Sequence, residues 1–112
     1  MIVRIARETD WERAQTEGLY APPELERDGF IHLSKPEQVS GPANALYSDE
    51  HGLALLWIDP ARLEAELSYE PPAPGAPVTF PHLYGPLNLD AVVGVVQLEP
   101  WKRGEFRLPS AP

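Results

Sequence analysis

Cysteine is absent from this sequence of 112 residues, which excludes disulfides and thiolate–metal sites. Basic residues are scarce: nine Lys and Arg stand against seventeen Asp and Glu, a net charge of −8. Phosphate backbones are held mainly by Lys and Arg, so this balance argues against nonspecific nucleic-acid binding. A small anionic ligand stays open, because one arginine or a helix N-terminus can hold it. No apolar run nears the roughly 20 residues that span a bilayer. The opening "MIVRIARETDW" meets arginines too early for a signal peptide. There is no G-x-S-x-G elbow and no P-loop, which leaves hydrolase and nucleotide-triphosphatase templates without support. The expectation is a soluble, cytoplasmic protein with neither membrane nor nucleic-acid partners.

What is present fits one α+β domain over residues 1–112. The fourteen prolines cluster in "APPEL", "EPPAPGAP" and a proline-rich tail from about residue 101, as loop punctuation. "IVRIA" reads as a short strand, and "TDWE" as a capping box with Thr9 at the N-cap of a helix ending near Gly18. "PPELERDG" fits one or two helical turns opened by proline. "SKPE" is a second capping box with Ser34 at the N-cap, leading into a helical spacing of Val39, Ala43, Leu46 and Tyr47. "LALLWID" is the clearest buried strand. Asp59-Pro60 is expected to cap a helix over "ARLEAEL", followed by strands in "LSYE", "VTFPHLY" and "AVVGVVQLE", the last with a glycine bulge. Helices thus gather in the N-terminal half, against a mixed or antiparallel sheet.

Only three histidines occur, and two sit in matching frames. In "GFIHLS", strand alternation puts Phe30, His32 and Ser34 on one face and Ile31 and Leu33 on the other. In "FPHLYG", Phe80, His82 and Tyr84 share a face opposite Pro81 and Leu83. Such a pair can line a ligand site, supply a general base, bind a metal or simply pack in a core. The spacing contains no H-x-H or H-x-x-x-H pair, so no metal is expected. Ser34, as a helix cap, would bring backbone N–H donors beside His32, a seat for a phosphate. Glu70 stands before a proline-rich loop, where a solvated strand end is the plain reading. Trp11, Trp57 and Tyr47 read as core residues, and His51 as an exposed turn.

The ordered set "W…A", "G-x-Y", "DGFIHLS", "Q-V", "A-N-A-L-Y", "L-L-W-I-D", "Y-E" and "FPHLYGPL…AVVGV" resembles the domain-of-unknown-function 952 family of small bacterial proteins. The likeness runs over about residues 2 to 99. That family is grouped with the ADP-ribosyltransferase-like folds, and "GFIHLS" looks like the "HVHLS" segment of RNA 2′-phosphotransferases, which use NAD. The resemblance implies an NAD or nucleotide cleft lined by Phe30, His32, Ser34, Phe80, His82 and Tyr84. His32 would bond the ribose, Phe80 or Tyr84 would stack on a ring, and Glu70 would stabilise positive charge at the transferring carbon or orient the nucleophile. The alternatives are a noncatalytic small-ligand module and a structural protein whose histidines pack.

Overall fold

Strand β1 (Ile2–Arg7) alternates strictly in what its side chains touch. Val3 and Ile5 join one apolar cluster while Ile2 and Ala6 join another, with Arg4 on the second side. Its partner β4 (Leu53–Ile58) does the same with larger residues: Leu53, Leu55 and Trp57 on one side, Ala54, Leu56 and Ile58 on the other. All six residues of β4 are buried, which is the physical reason for its unbroken apolar run. Burying each of its Leu and Ile side chains stabilises by about 1.5–3 kcal/mol. The computed structural model describes residues 1–39 and 51–98.

The other elements follow in chain order. They are helix α1 (Glu8–Glu17), β2 (Leu19–Tyr20), α2 (Pro23–Asp28), β3 (Ile31–His32), β5 (Glu66–Glu70), β6 (Phe80–Tyr84), β7 (Leu87–Asn88) and β8 (Val92–Leu98). They form three small sheets: β1-β4-β8, β2-β7 and β3-β6-β5. Every strand pairing among the described residues is antiparallel, so there the sheet is antiparallel and not mixed. The β1-β4-β8 sheet packs through Ile2, Ala54, Leu56 and Ile58 against Ile31 and Leu83 of the β3-β6-β5 sheet, with Ala14 of α1 and Tyr20 between. A backbone bridge between Val3 and Ser34 ties the two sheets together. The final strand carries the expected irregularity, a register shift where Gly94 pairs with Trp57 and Val92 with Ile58.

Both helices stop where the sequence says. Gly18 and Gly29 adopt φ of 88° and 85°, the left-handed conformation that glycine accepts without a Cβ clash. The start of α2 at Pro23 is also as expected, whereas that of α1 differs. Helix α1 begins at Glu8 with Arg7 as its N-cap, directly out of β1, so Thr9 lies inside the helix and caps nothing. Asp59 does cap, accepting from Ala61 N–H at 3.0 Å, but the turn it opens covers Pro60–Arg62 alone. The "ARLEAEL" helix is therefore corrected to a turn and then a strand. Leu63, Ala65 and Leu67 alternate into the core, a period of two that outweighs the helical reading. The helix read through Ala43 and Tyr47, and the tail from residue 101, lie outside the described residues. No helix among the described residues is long and apolar enough to cross a membrane.

Candidate functional site

Strand β3 pairs with β6 in a register that sets Ile31 opposite Leu83 and His32 opposite His82. Ile31 and Leu83 are fully buried, so alternation turns both histidines to the outer face. Ser68 of β5 stands opposite His82 in the next ladder, with Glu66 opposite Tyr84 and Glu70 opposite Phe80. One face of this sheet thus carries His32, Phe80, His82, Tyr84 and Glu70. The ring of Phe30, just before β3, lies over this face. It stacks on His82 at 4.1 Å with an interplanar angle of 16°, and its centroid is 4.7 Å from His32 and 5.4 Å from Tyr84. The two imidazoles are 5.8 Å apart.

Each imidazole is gripped by its own carboxylate. Helix α2 opens on Pro23, closes on Gly29 and holds Glu24 against β3. Glu24 Oε2 accepts the His32 backbone N–H and lies 2.7 Å from its Nδ1, both contacts being 2.7 Å. Behind it, Arg4 donates to both Glu24 oxygens at 2.7 and 3.0 Å, to the His32 carbonyl at 3.0 Å and to the Tyr20 hydroxyl at 3.1 Å. Burial raises the Glu24 pKa, but the Arg4 hydrogen bonds and charge, with the His32 N–H, outweigh it and hold the carboxyl below its usual range. Burial also works against the Arg4 charge, yet Tyr20 and Glu24 more than restore it.

On the far side, Glu70 Oε1 lies 2.7 Å from His82 Nδ1 and also accepts the Tyr84 hydroxyl. The Tyr84 bond first, then that of His82, lower the Glu70 pKa, and the same carboxylate raises that of Tyr84. Glu70 is therefore an ionised carboxylate at neutral pH, held in place from two sides. In a neutral imidazole, an Nδ1–H donated to carboxylate leaves the Nε2 lone pair outward, as an acceptor or a base. The carboxylates grip the two rings from opposite flanks, Glu24 from α2 and Glu70 from β5.

Of the residues expected at a site, Phe30, His32, Phe80, His82, Tyr84 and Glu70 come together on this face. Ser34 does not join them. It is buried, and its backbone exchanges hydrogen bonds with Val3 at 2.8 and 2.9 Å. The turn after it covers only Pro36–Gln38, with Lys35 as N-cap and the Gln38 side chain accepting the Lys35 N–H at 2.9 Å. Ser34 is thus neither a cap nor part of a phosphate seat. His82 is buried, as the packing alternative has it, but its partner is a carboxylate; His32 is half-exposed. Among the described residues no group of three or more His, Asp or Glu is arranged to hold a metal ion. His51 is exposed and Trp57 buried, as read from the sequence.

Glu24, Arg4 and Tyr20 escaped the sequence reading. One signal was available: Arg4 is the charge inside the apolar run "IVRIA", and a charge buried in a strand requires a partner. The partner itself, twenty residues away on another element, has no signature in spacing.

The chain is similar to Protein CC0527 from Caulobacter crescentus, whose crystal structure shares 30% identity with a TM-score of 0.85. The match covers 96% of this chain and 93% of that one. The crystal structure of a double mutant of CC0527 matches equally well. The solution structure of CC0527 matches with a TM-score of 0.72 over 93% of this chain and 89% of that one. None of the curated proteins matches. A family model described as "Protein of unknown function (DUF952)" covers residues 5–95, and the chain belongs to that family.

Proposed function

We propose that the histidine face binds the nicotinamide–ribose end of NAD or a related nucleotide, in an ADP-ribosyltransferase-like frame, and transfers the ADP-ribosyl group. One observation carries this reading: Glu70, ionised and held by His82 and Tyr84, stands beside a bank of aromatic rings. Breaking the bond between ribose C1′ and the nicotinamide nitrogen leaves positive charge on the ribose. A preorganised carboxylate lowers the energy of that state more than that of the neutral ground-state sugar. The bonding pair departs with the nicotinamide, which leaves neutral. An oxygen of water or of an acceptor hydroxyl gives its pair to C1′, and its proton passes to a neighbouring base. His32 Nε2, steadied through Nδ1 by Glu24, is placed to bond a ribose hydroxyl or take that proton.

A noncatalytic ligand module is favoured by one feature, since Glu70 Oε1 already carries two hydrogen bonds in the free protein. Two measurements separate the readings. Saturable NAD binding, seen as a rise in melting temperature with ligand, is expected under both. Release of free nicotinamide, abolished in Glu70→Gln even at NAD concentrations that saturate the variant, is expected only under catalysis. A parent protein whose melting temperature ignores millimolar-scale NAD would leave the packing alternative. No metal is required for this chemistry, and chelator treatment is expected to leave nicotinamide release unchanged.

A further inference from the structure

The charges around the histidine face are one-sided. Glu66 and Glu70 lie on β5, and Asp28 and Glu24 on α2 flank His32 from the other side, with Asp28 Oδ2 3.9 Å from His32 Nε2. The cations nearby are already engaged. Arg4 is buried beneath the site against Glu24, and Arg27 is tied to Asp28 at 3.0 Å. Lys35 contacts Thr79 and lies over the ring of Tyr69, which alternation places on the opposite face from Glu70. Elsewhere among the described residues Arg13 pairs with Asp10 and Arg62 with Asp59, and Arg7 too has a partner. A pyrophosphate therefore meets carboxylates here and no uncommitted cation among the described residues.

A cationic ring meets the opposite situation. Tyr84 is 39% exposed, and Phe30 is partly exposed beside it. The face of an aromatic ring attracts a cation, more strongly when a carboxylate stands next to it, and the Glu70 side chain is 38% exposed at this point. We infer that this face recognises the positive charge of an N-ribosylpyridinium ring. It would take the oxidised nicotinamide end of a nucleotide, discriminate against the neutral reduced ring, and give the ADP-ribose portion little hold. The inference rests on the NAD reading above but narrows it to one end and one charge state of the ligand.

The test is titration calorimetry of the full chain at about 0.15 M salt. The probes are oxidised NAD, reduced NAD, ADP-ribose and the N-methylnicotinamide cation. Oxidised NAD is expected to bind at least about tenfold more tightly than reduced NAD or ADP-ribose, with N-methylnicotinamide competing for its site. Glu70→Gln is expected to erase most of the preference for the oxidised form. Tyr84→Phe, which keeps the ring, is expected to retain it. Equal binding of the oxidised and reduced forms, or ADP-ribose binding as tightly as NAD, overturns the charge inference and leaves the nucleotide reading standing. Binding of N-methylnicotinamide without NAD upholds charge recognition and removes the nucleotide. Silence from all four probes removes both.

Discussion

His32 and His82 stand directly opposite one another in the β3–β6 ladder, each with its Nδ1 2.7 Å from a carboxylate of its own. The pair is symmetric in hydrogen bonding and asymmetric in burial. The His32 side chain is 50% exposed, that of His82 only 10%. Phe30 covers His82 with a near-parallel stack and merely tilts against His32. Equivalent positions in the ladder thus carry different energetic loads.

Truncating the two should separate those loads. His82→Ala removes a buried ring, strips Phe30 of its stacking partner and frees one bond on Glu70. It is expected to cost about 2–4 kcal/mol, as a large-to-small core substitution with a lost partner does. In a domain of this size the melting temperature should then fall by about 8 °C or more. His32→Ala removes a ring half in water and leaves Glu24 bonded to Arg4, so a loss below about 1 kcal/mol is expected, with the ligand effect weakened. Thermal melts of both variants with and without about 1 mM NAD measure all four quantities. Equal losses would contradict the asymmetry.

Arg4 and Glu24 form the ion pair beneath this face, with side chains 10% and 14% exposed. Glu24→Ala leaves a buried guanidinium holding only a carbonyl and a phenol, and breaking such a pair costs about 3–5 kcal/mol. Replacing both, as Arg4→Leu with Glu24→Leu, removes the stranded charge and is expected to be less harmful than Glu24→Ala alone. Chemical denaturation of Arg4→Leu, Glu24→Leu and the double variant closes the cycle. Additive losses would show that the pair is not coupled.

The parts of this arrangement that rest on local rules were open to reading. The matched frames around His32 and His82 placed both on one face because alternation is a property of the strand itself. Gly18, Gly29 and Pro23 marked helix ends through their own backbone preferences, and β4 declared itself through a run that only two-sided burial explains. Ser34 and Thr9 failed for a common reason. A capping pattern states what a hydroxyl can do, whereas the bridge to Val3 and the direct passage from β1 into α1 are decided by partners distant in sequence. Glu24 belongs to the same class. Its role depends on α2 folding back over β1, and no interval between residues 4, 24 and 32 encodes that.

Tyr84 is the first of the groups that lower the Glu70 pKa, ahead of His82. Tyr84→Phe deletes that hydrogen bond and keeps the aromatic surface. The Glu70 carboxyl is then expected to titrate at higher pH than in the parent, still below an unbonded carboxylate because His82 remains. Carboxyl carbon chemical shifts followed through an acid titration report this directly. An unchanged Glu70 midpoint would mean that the phenol does not serve the carboxylate in solution.

Acid should expose the contribution of Glu24. Its pKa is lower in the folded protein than in the unfolded chain, because the Arg4 and His32 donors outweigh its burial. The folded state therefore binds the proton more weakly, and protonation favours unfolding. The stabilisation is complete above the unfolded carboxylate value, about 4.3, and is lost as pH falls through the lower folded value. Asp28 and Glu70, whose pKa values are also lowered, act in the same direction, so the parent alone cannot isolate Glu24. Glu24→Gln supplies the comparison, since it cannot ionise and should start lower at neutral pH. Below about pH 4.3 its melting temperature should decline less steeply than that of the parent, and the two curves should converge. Parallel curves down to strong acid would show that the Glu24 carboxylate is not stabilised in the folded state, and with that the salt link beneath His32 would lose its place in the site.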